Sequence, residues 1–503
     1  MAYRRVIDET ALLDGAAGKR AMKQQGRTAT TIEGSVSPPN GNSTQARIVL
    51  AIASMGFFLI TLDISIVNVA LANIRHDLGG GTTTQQWVID GYTLSFATLL
   101  LCAGTVSDRF GAKKGIGAGI AIFGLASAAC AAAPNATALI AERCVQGVGA
   151  AIMLPASMAL MRDAFVDPRK RASALGIWAV GGALAALIGQ PLGGLLTTLD
   201  WRWVFGINIP VCVAMLAFLT GTAPSVTRVA RFDWLGQFLA IVGLTSLVYG
   251  LIAGGHSKFY SPTVLGALAL ASGSLSAFVY VQTRVTHPMM PLHLFRARGL
   301  RMALPIGFVF MVGNYGNVFV VSLYLQQELG LSPLRAGLVF VPSAVFAIAG
   351  NLSSGPITNH FGPRVPVALG LLLMATGMIA VIATAPLRSP IATALSIIPI
   401  GAGGSTAMPP VTGLVLAGVE SHFASTASAV FNTFRQVGGA VAIAVFGALI
   451  ATPHGFITGM RISLAICASM LILASVNSLR VPSNSRIPLR AVDTSPIMGP
   501  VER

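Results

Sequence analysis

Fourteen apolar segments dominate this sequence, each close to the roughly 20 residues that a helix rising 1.5 Å per residue needs to cross a hydrocarbon core. They run over about 48–70, 86–106, 115–133, 139–161, 173–195, 201–220, 234–253, 263–282, 303–325, 336–356, 366–385, 391–417, 425–450 and 462–479. Inside a bilayer every backbone N–H and C=O must find its partner within the protein, and a continuous apolar run does so as an α-helix. Many of the runs contain Gly and Pro, which weaken helices in water but are common in spanning ones, where small residues let backbones approach. Composition closes off the soluble alternative: 10% of the 503 residues are charged and 54% hydrophobic, whereas soluble proteins carry about a quarter charged residues. The expectation is an all-α integral membrane protein with 14 transmembrane helices.

The excess of 33 Lys+Arg over 17 Asp+Glu would suit nucleic acid only if gathered on a solvated face. Instead the basic residues lie between apolar runs and alternate in density. With the amino terminus inside, 25 of the 33 fall in inner loops and tails, six in outer loops with Arg202 at the outer edge of span six counted among them, and two, Arg143 and Arg435, deeper within spans. Lys and Arg beside spans stay on the cytoplasmic side. The charge excess is therefore a topology signal with both termini cytoplasmic, and no nucleic-acid partner is expected. Residues 1–47 are polar, lack a stretch apolar enough for a signal peptide, and read as a disordered tail; 481–503 read as a second cytoplasmic tail. Cys102, Cys130, Cys144, Cys212 and Cys467 all sit inside apolar runs without paired spacing, which fits packing thiols and no metal site.

An internal repeat is visible in the loops. Gly104-Thr-Val-Ser-Asp108-Arg109-Phe110-Gly111-Ala-Lys113 recurs 251 residues later as Gly355-Pro-Ile-Thr-Asn359-His360-Phe361-Gly362-Pro-Arg364. Both copies lie in short inner loops, after the second and the tenth span. Two six-helix bundles, 48–220 and 303–480, with two additional spans and an inner linker over 221–302 between them, give this placement and match the parallel-repeat plan of one class of transporters.

These residues carry a family resemblance. The Gly104–Lys114 loop is similar to the signature between helices two and three of the major facilitator superfamily, and the fourteen spans resemble its drug:proton antiporter-2 family of multidrug exporters. Further similar stretches are Leu62-Asp63 to Asn68-Val-Ala-Leu71 in span one, Trp87 to Tyr92 to Ala97 in span two, and Arg143-Cys-Val-Gln146-Gly147-Val-Gly149 in span four. Others are Trp201 to Asn208-Ile-Pro210 entering span six, Gly330-Leu-Ser332-Pro333 to Gly337 before span ten, and Asn432-Thr-Phe-Arg435-Gln436-Val-Gly438-Gly439 in span thirteen. The resemblance covers about residues 48–480. It implies the major facilitator fold, a monomer in the bacterial cytoplasmic (inner) membrane, and alternating-access export of small hydrophobic or amphipathic compounds in exchange for protons. It requires no cofactor, the proton gradient supplying the energy, and leaves periplasmic or outer-membrane partners open.

Two departures qualify that implication. The family's span-five antiporter motif usually reads Gly-Pro-x-x-Gly-Gly, whereas here Gly189-Gln190-Pro191-Leu192-Gly193-Gly194 has its proline displaced by one. Proton-coupled or facilitated uptake on the same scaffold, and a non-transporting membrane sensor or scaffold, remain alternatives. The second loop copy has Asn359 and His360 where the first has Asp108 and Arg109, which weakens charge contacts in that half.

Ionisable residues inside spans are few, and a central charge costs roughly 2.5–3.5 kcal/mol on insertion scales, so each is a functional candidate. Asp63 lies roughly 6 Å outward of the middle of span one, and Arg143 roughly 10 Å outward in span four. Comparable depth lets them pair. Burial disfavours an uncompensated carboxylate once that partner moves away, so such an acid can take a proton in one state and release it in another. Asp90, about one turn inside span two, is a candidate for proton entry.

Gly104, Asp108, Arg109, Gly111 and Lys114 form an expected inner gate, in which Asp108 pairs with basic groups or a helix amino terminus of the other half and the glycines allow tight bends. The second half has no acid deep in any span but offers Asn314, Tyr315, Asn317, Tyr324, Asn432, Arg435 and Gln436. With Asn68, Tyr92 and Gln146 these are the expected lining of a substrate cavity. The histidines show no metal spacing, the glycine pairs follow no strand, and no phosphate-cradling Gly-x-x-x-x-Gly-Lys loop exists, so no enzyme active site or nucleotide site is expected.

Overall fold

The computed structural model describes residues 43–480 apart from 166, 226, 228–231, 257–258, 418, 421–422 and 452–454. The side chains of Ser43, Val106, Asp108, Pro168, Arg169, Ala172, Ala183, His256 and Ser425 lie outside the description as well. Most of the expected amino-terminal tail and the whole of the carboxy-terminal one fall outside it, and so does the Asp108 carboxylate of the expected gate. The last residues of the 1–47 tail are helical, because the first span begins at Thr44.

Among the described residues every element is helical, and 14 helices are long and apolar enough to cross a membrane. They are α1 Thr44–Leu78, α2 Thr82–Thr105, α3 Ala112–Ala131, α4 Ala136–Ala164, α5 Ser173–Leu199, α6 Trp203–Thr220 and α7 Trp234–Gly255. The second set is α8 Pro262–Arg284, α9 Arg298–Glu328, α10 Pro333–Phe361, α11 Arg364–Leu387, α12 Pro390–Leu416, α13 Thr426–Ile450 and α14 Phe456–Ser478. The helix of α2 runs on to Phe110. Consecutive crossings run in alternate directions, so the odd helices are antiparallel to the even ones, and the connections rich in basic residues gather at one end (the basic end), opposite a far end.

At the far end the connections are short and the helices start on polar caps. The side chains of Asn135, Ser261, Ser332 and Ser389 each accept a hydrogen bond from the backbone N–H three residues on, which satisfies one of the donors a helix start leaves free. At the basic end the two repeated loops end their helices in the same way: Gly111 and Gly362 take φ of +88° and +76°, a left-handed turn that glycine adopts without the Cβ penalty. Gly104, expected as a bend, and its counterpart Gly355 differ from these two. Each lies inside a helix, and a Cβ there would meet nothing within 4 Å, so neither is a bend.

Two apolar cores organise the helices. One is built from α1, α2, α3, α4 and α6, with Phe123, Met153, Leu160 and Met215 among its buried members. The other is centred on α9 and α11 to α14, with Phe319, Leu371, Met374, Phe431 and Leu464. The helices α7 and α8 pack on one another, and α7 lies against both α2 and α13. The halves meet where α2 packs on α13 and α5 on α10, and α9 bonds to α1 through Ser322 and Asn68.

The second of these contacts, α5 on α10, explains the glycines of span five. A Cβ on Gly193 would sit 2.7 Å from the Ile66 backbone of α1, and one on Gly194 would sit 2.6 Å from the Pro333 carbonyl of α10. Gly189 abuts Ser65, and the Gln190–Pro191 backbone lies against Gly337. The motif at Gly189, Pro191, Gly193 and Gly194 is thus a packing surface on which α5 touches α1 and closes against the other half near the far end.

Candidate functional site

The first-half core contains a sealed polar cluster. Asp63 of α1 is 0% exposed and Arg143 of α4 is 1% exposed, with Arg143 Nη1 donating to Asp63 Oδ2 at 2.5 Å. Arg143 Nε donates to the Val88 carbonyl of α2 at 2.9 Å, and its guanidinium lies 4.4 Å from the Tyr92 ring centre and 5.7 Å from that of Phe205. The other carboxylate oxygen, Asp63 Oδ1, accepts from Gln146 Nε2 at 2.9 Å and from Asn208 Nδ2 at 3.1 Å. Both amides also donate to Ser127 Oγ, at 2.8 and 3.3 Å, and Gln146 Oε1 accepts from Arg143 at 2.6 Å. Groups of α4 and α6 thus meet the carboxylate of α1 directly, and α2 and α3 hold those groups in place, so its charge is met both by a cation and by neutral donors.

The chemistry follows from burial. Taking a carboxylate out of water costs several kcal/mol, offset only when a partner and hydrogen bonds replace the water. Here all the replacement comes from groups on other helices, so the environment of the carboxylate depends on how α1, α4 and α6 are placed against one another.

The pairing of Asp63 with Arg143 was legible from depth, but several assignments change. Gln146 and Tyr92 do not line a cavity: both are fully buried, one completing the hydrogen bonding of Asp63 and the other stacked on Arg143. Asn68, 5% exposed, donates to Ile64 of its own helix at 2.7 Å, while its carbonyl accepts from Ser322 of α9; it is a contact between halves. Tyr324 is buried with its hydroxyl donating to the Ala385 carbonyl at 2.9 Å, which ties α9 to α11. Asn317 is 4% exposed and buried as well. Ser127 and Asn208 were missed as site residues. Asn208 stood within a quoted motif, and Ser127 is a lone hydroxyl in an alanine-rich span, a signal too common to single it out.

In the second half Tyr315, Asn432, Arg435 and Gln436 do come together. Tyr315 Oη donates to Gln436 Oε1 at 3.2 Å, and Arg435 Nη1 donates to Asn432 Oδ1 at 3.1 Å. The guanidinium lies 5.8 Å and 5.7 Å from the ring centres of Phe310 and Phe431. Asn314 is half-buried on the same helix as Tyr315. None of them lines the cavity of about 820 Å³ at the basic end, which lies among Cys102, Thr105, Asp233, Gln282, His287 and Phe423.

Among the described residues, Lys113 of the loop after α2 bonds to the end of α6 and the segment that follows it. The Lys113 backbone N–H donates to Ser225 Oγ at 3.0 Å, and its ammonium donates to the Thr220 carbonyl at 3.3 Å and to that of Thr222, so it caps the end of α6. Arg109 and Lys114 are exposed.

A family model described as Major Facilitator Superfamily matches residues 53–443. A methylenomycin A resistance protein of Streptomyces coelicolor is 33% identical over 431 residues, covering 85% of this chain and 90% of that relative. The puromycin resistance protein pur8 of Streptomyces alboniger is 33% identical over 83% of this chain and 88% of its own length. The drug efflux pump JefA of Mycobacterium tuberculosis is 31% identical over 80% of each. Among solved structures, a partially occluded inward-open form of the xylose transporter XylE from E. coli aligns with a TM-score of 0.61 at 15% identity, over 88% of this chain and 99% of that one. A peptide transporter bound to sulfate aligns at 0.64, also at 15% identity, over 86% and 93%.

Proposed function

This chain belongs to the Major Facilitator Superfamily, and from that premise we propose that it exports small hydrophobic or amphipathic antibiotics or drugs in exchange for protons. The relatives above named for resistance and efflux support the cargo and the direction. Proton coupling at Asp63 rests on one observation, the sealed cluster in which Arg143, Gln146 and Asn208 of two other helices hold a fully buried carboxylate.

In this reading the basic end faces the cytoplasm and the bundles rock about a central site. Asp63 is ionised while Arg143 and the amides hold it. When movement of α1 against α4 loosens that set, an ionised Asp63 becomes costly and it takes a proton. Cargo and proton oppose one another because each favours a different arrangement of the same helices, which is a coupling free energy between two sites. The chain works as a monomer in the cytoplasmic membrane and uses no cofactor.

The test is a compound screen, beginning with puromycin and methylenomycin A, in proteoliposomes containing a pH dye. Wild type should move protons when substrate is added, and Asp63→Asn, which cannot release a proton, should bind substrate yet move none. Substrate-driven proton movement equal to wild type in that variant removes Asp63 from the mechanism.

A further inference from the structure

A second carboxylate lies buried in this membrane protein, and it is not in the sealed cluster. Asp90 of α2 is 0% exposed, and neither of its oxygens has a hydrogen-bond partner. Its position in the helix says what it faces. Residues four apart share one helix face, and the neighbours of Asp90 at that spacing, Gln86 and Leu94, both cross to the other half. Gln86 Nε2 donates to the carbonyls of Ile443 and Ala444 on α13 at 3.1 and 2.8 Å, and Gly447 leaves room for that side chain. Leu94 packs with Ala440 and Ala444 of α13 and with Val248 and Ile252 of α7. Asp90 thus lies between two contacts on the seam where α2 meets α13, in the half of the seam nearer the far end.

Among the described residues, the groups around that seam offer it no counter-charge. On α4, Arg143 is committed to Asp63, and both Arg143 and Cys144 lie beneath Gly91, a third of a turn away; Glu142 of the same helix is itself acidic. On α13 the basic residue is Arg435, more than two turns toward the basic end from Ile443. On α7, Tyr249 lies tilted against Trp87 with ring centres 6.4 Å apart, and the side chain of His256 and residues 257–258 lie outside the described residues. An ionised carboxylate fully buried without a protein donor or a cation is not sustained in such a place, whereas the neutral acid is tolerated.

We propose that Asp90 is a proton-operated latch on the far-end seam between the halves, protonated while α2 and α13 are closed and ionised when they part and water reaches it. The sign follows: the closed seam binds one more proton than the open one, so acid favours closure and alkali favours opening at the far end. This inference rests on the rocking of the bundles proposed above, and it adds a second proton site to that at Asp63. The two sites have different jobs, since Asp63 lies within one half and Asp90 between the halves.

Distances between spin labels on Ala132→Cys and Leu387→Cys, exposed at the far end of the two halves, report the seam, with the native cysteines replaced by alanine. Between about pH 5 and about pH 9 the wild-type distribution should shift from a short to a long population. Asp90→Asn, which mimics the neutral acid, should hold the short population several-fold above wild type at the alkaline end and lose the pH response, and Asp90→Glu should restore it. A pH response in Asp90→Asn equal to wild type overturns the latch. So does a wild-type distribution that stays flat across the range, a result that needs no variant to fold. Asp63→Asn in the same titration separates the two readings: if it alone abolishes the response, the latch fails and proton coupling at Asp63 stands.

Discussion

Arg143 and Arg435 both lie within apolar spans, yet they are accommodated differently. Arg143 ends on an acid at 2.5 Å, with a glutamine, a backbone carbonyl and two aromatic rings around it. Arg435 has an asparagine and two rings and, among the described residues, no acid within ion-pair reach. The first half holds its charges in a closed network whose members depend on one another. In the second half a cation is carried by neutral dipoles and π faces, with donors unspent. Removing one member of a closed buried pair strands the other, whereas removing a cation that has no counter-charge strands nothing.

That difference can be broken experimentally. The largest effect is expected from Arg143→Gln, which leaves Asp63 buried and unpaired and should lower stability by about 3–5 kcal/mol, read as a drop in thermal unfolding temperature in detergent. The double variant Asp63→Leu/Arg143→Leu should recover most of it, because no charge is then left behind. Next come Gly111→Ala and Gly362→Ala, which force alanine into the left-handed region and should each cost about 1–2 kcal/mol; equal losses would show that the repeated loops do the same structural task in both halves. Arg435→Gln should cost about 1 kcal/mol, the scale of its ring contacts and single hydrogen bond, and a loss as large as that of Arg143→Gln would erase the distinction between the halves. The smallest effects belong to Gly104→Ala and Gly355→Ala, which enter open space inside helices and should be neutral or raise stability by about 0.5 kcal/mol.

How legible each feature was depends on the range of the interaction behind it. The spans are set by local hydrophobicity: 86–106 and 139–161 in the sequence become Thr82–Thr105 and Ala136–Ala164 in the structure. The pairing of Asp63 with Arg143 was readable because depth along a helix is arithmetic in residue number, and Arg143 is the one base in its span at that level. Which way a side chain points around its helix was less readable. Gln146 and Tyr92 were expected in a cavity and are sealed into the cluster, because one glutamine looks like another until the neighbouring helices are placed. Tyr324 likewise turned out to tie α9 to α11.

The sequence alone determined that this chain is a bundle of fourteen membrane-crossing helices with a duplicated loop, since the need to satisfy every backbone hydrogen bond in lipid leaves a long apolar run one solution. Only the tertiary structure decided that Ser127 and Asn208 complete the shell of Asp63, that the span-five glycines pack on α1 and α10, and that Asp90 is buried without a hydrogen-bond partner. Each of these depends on helices distant in sequence meeting at a given rotation, and the packing of the whole bundle, rather than any local pattern, fixes that rotation.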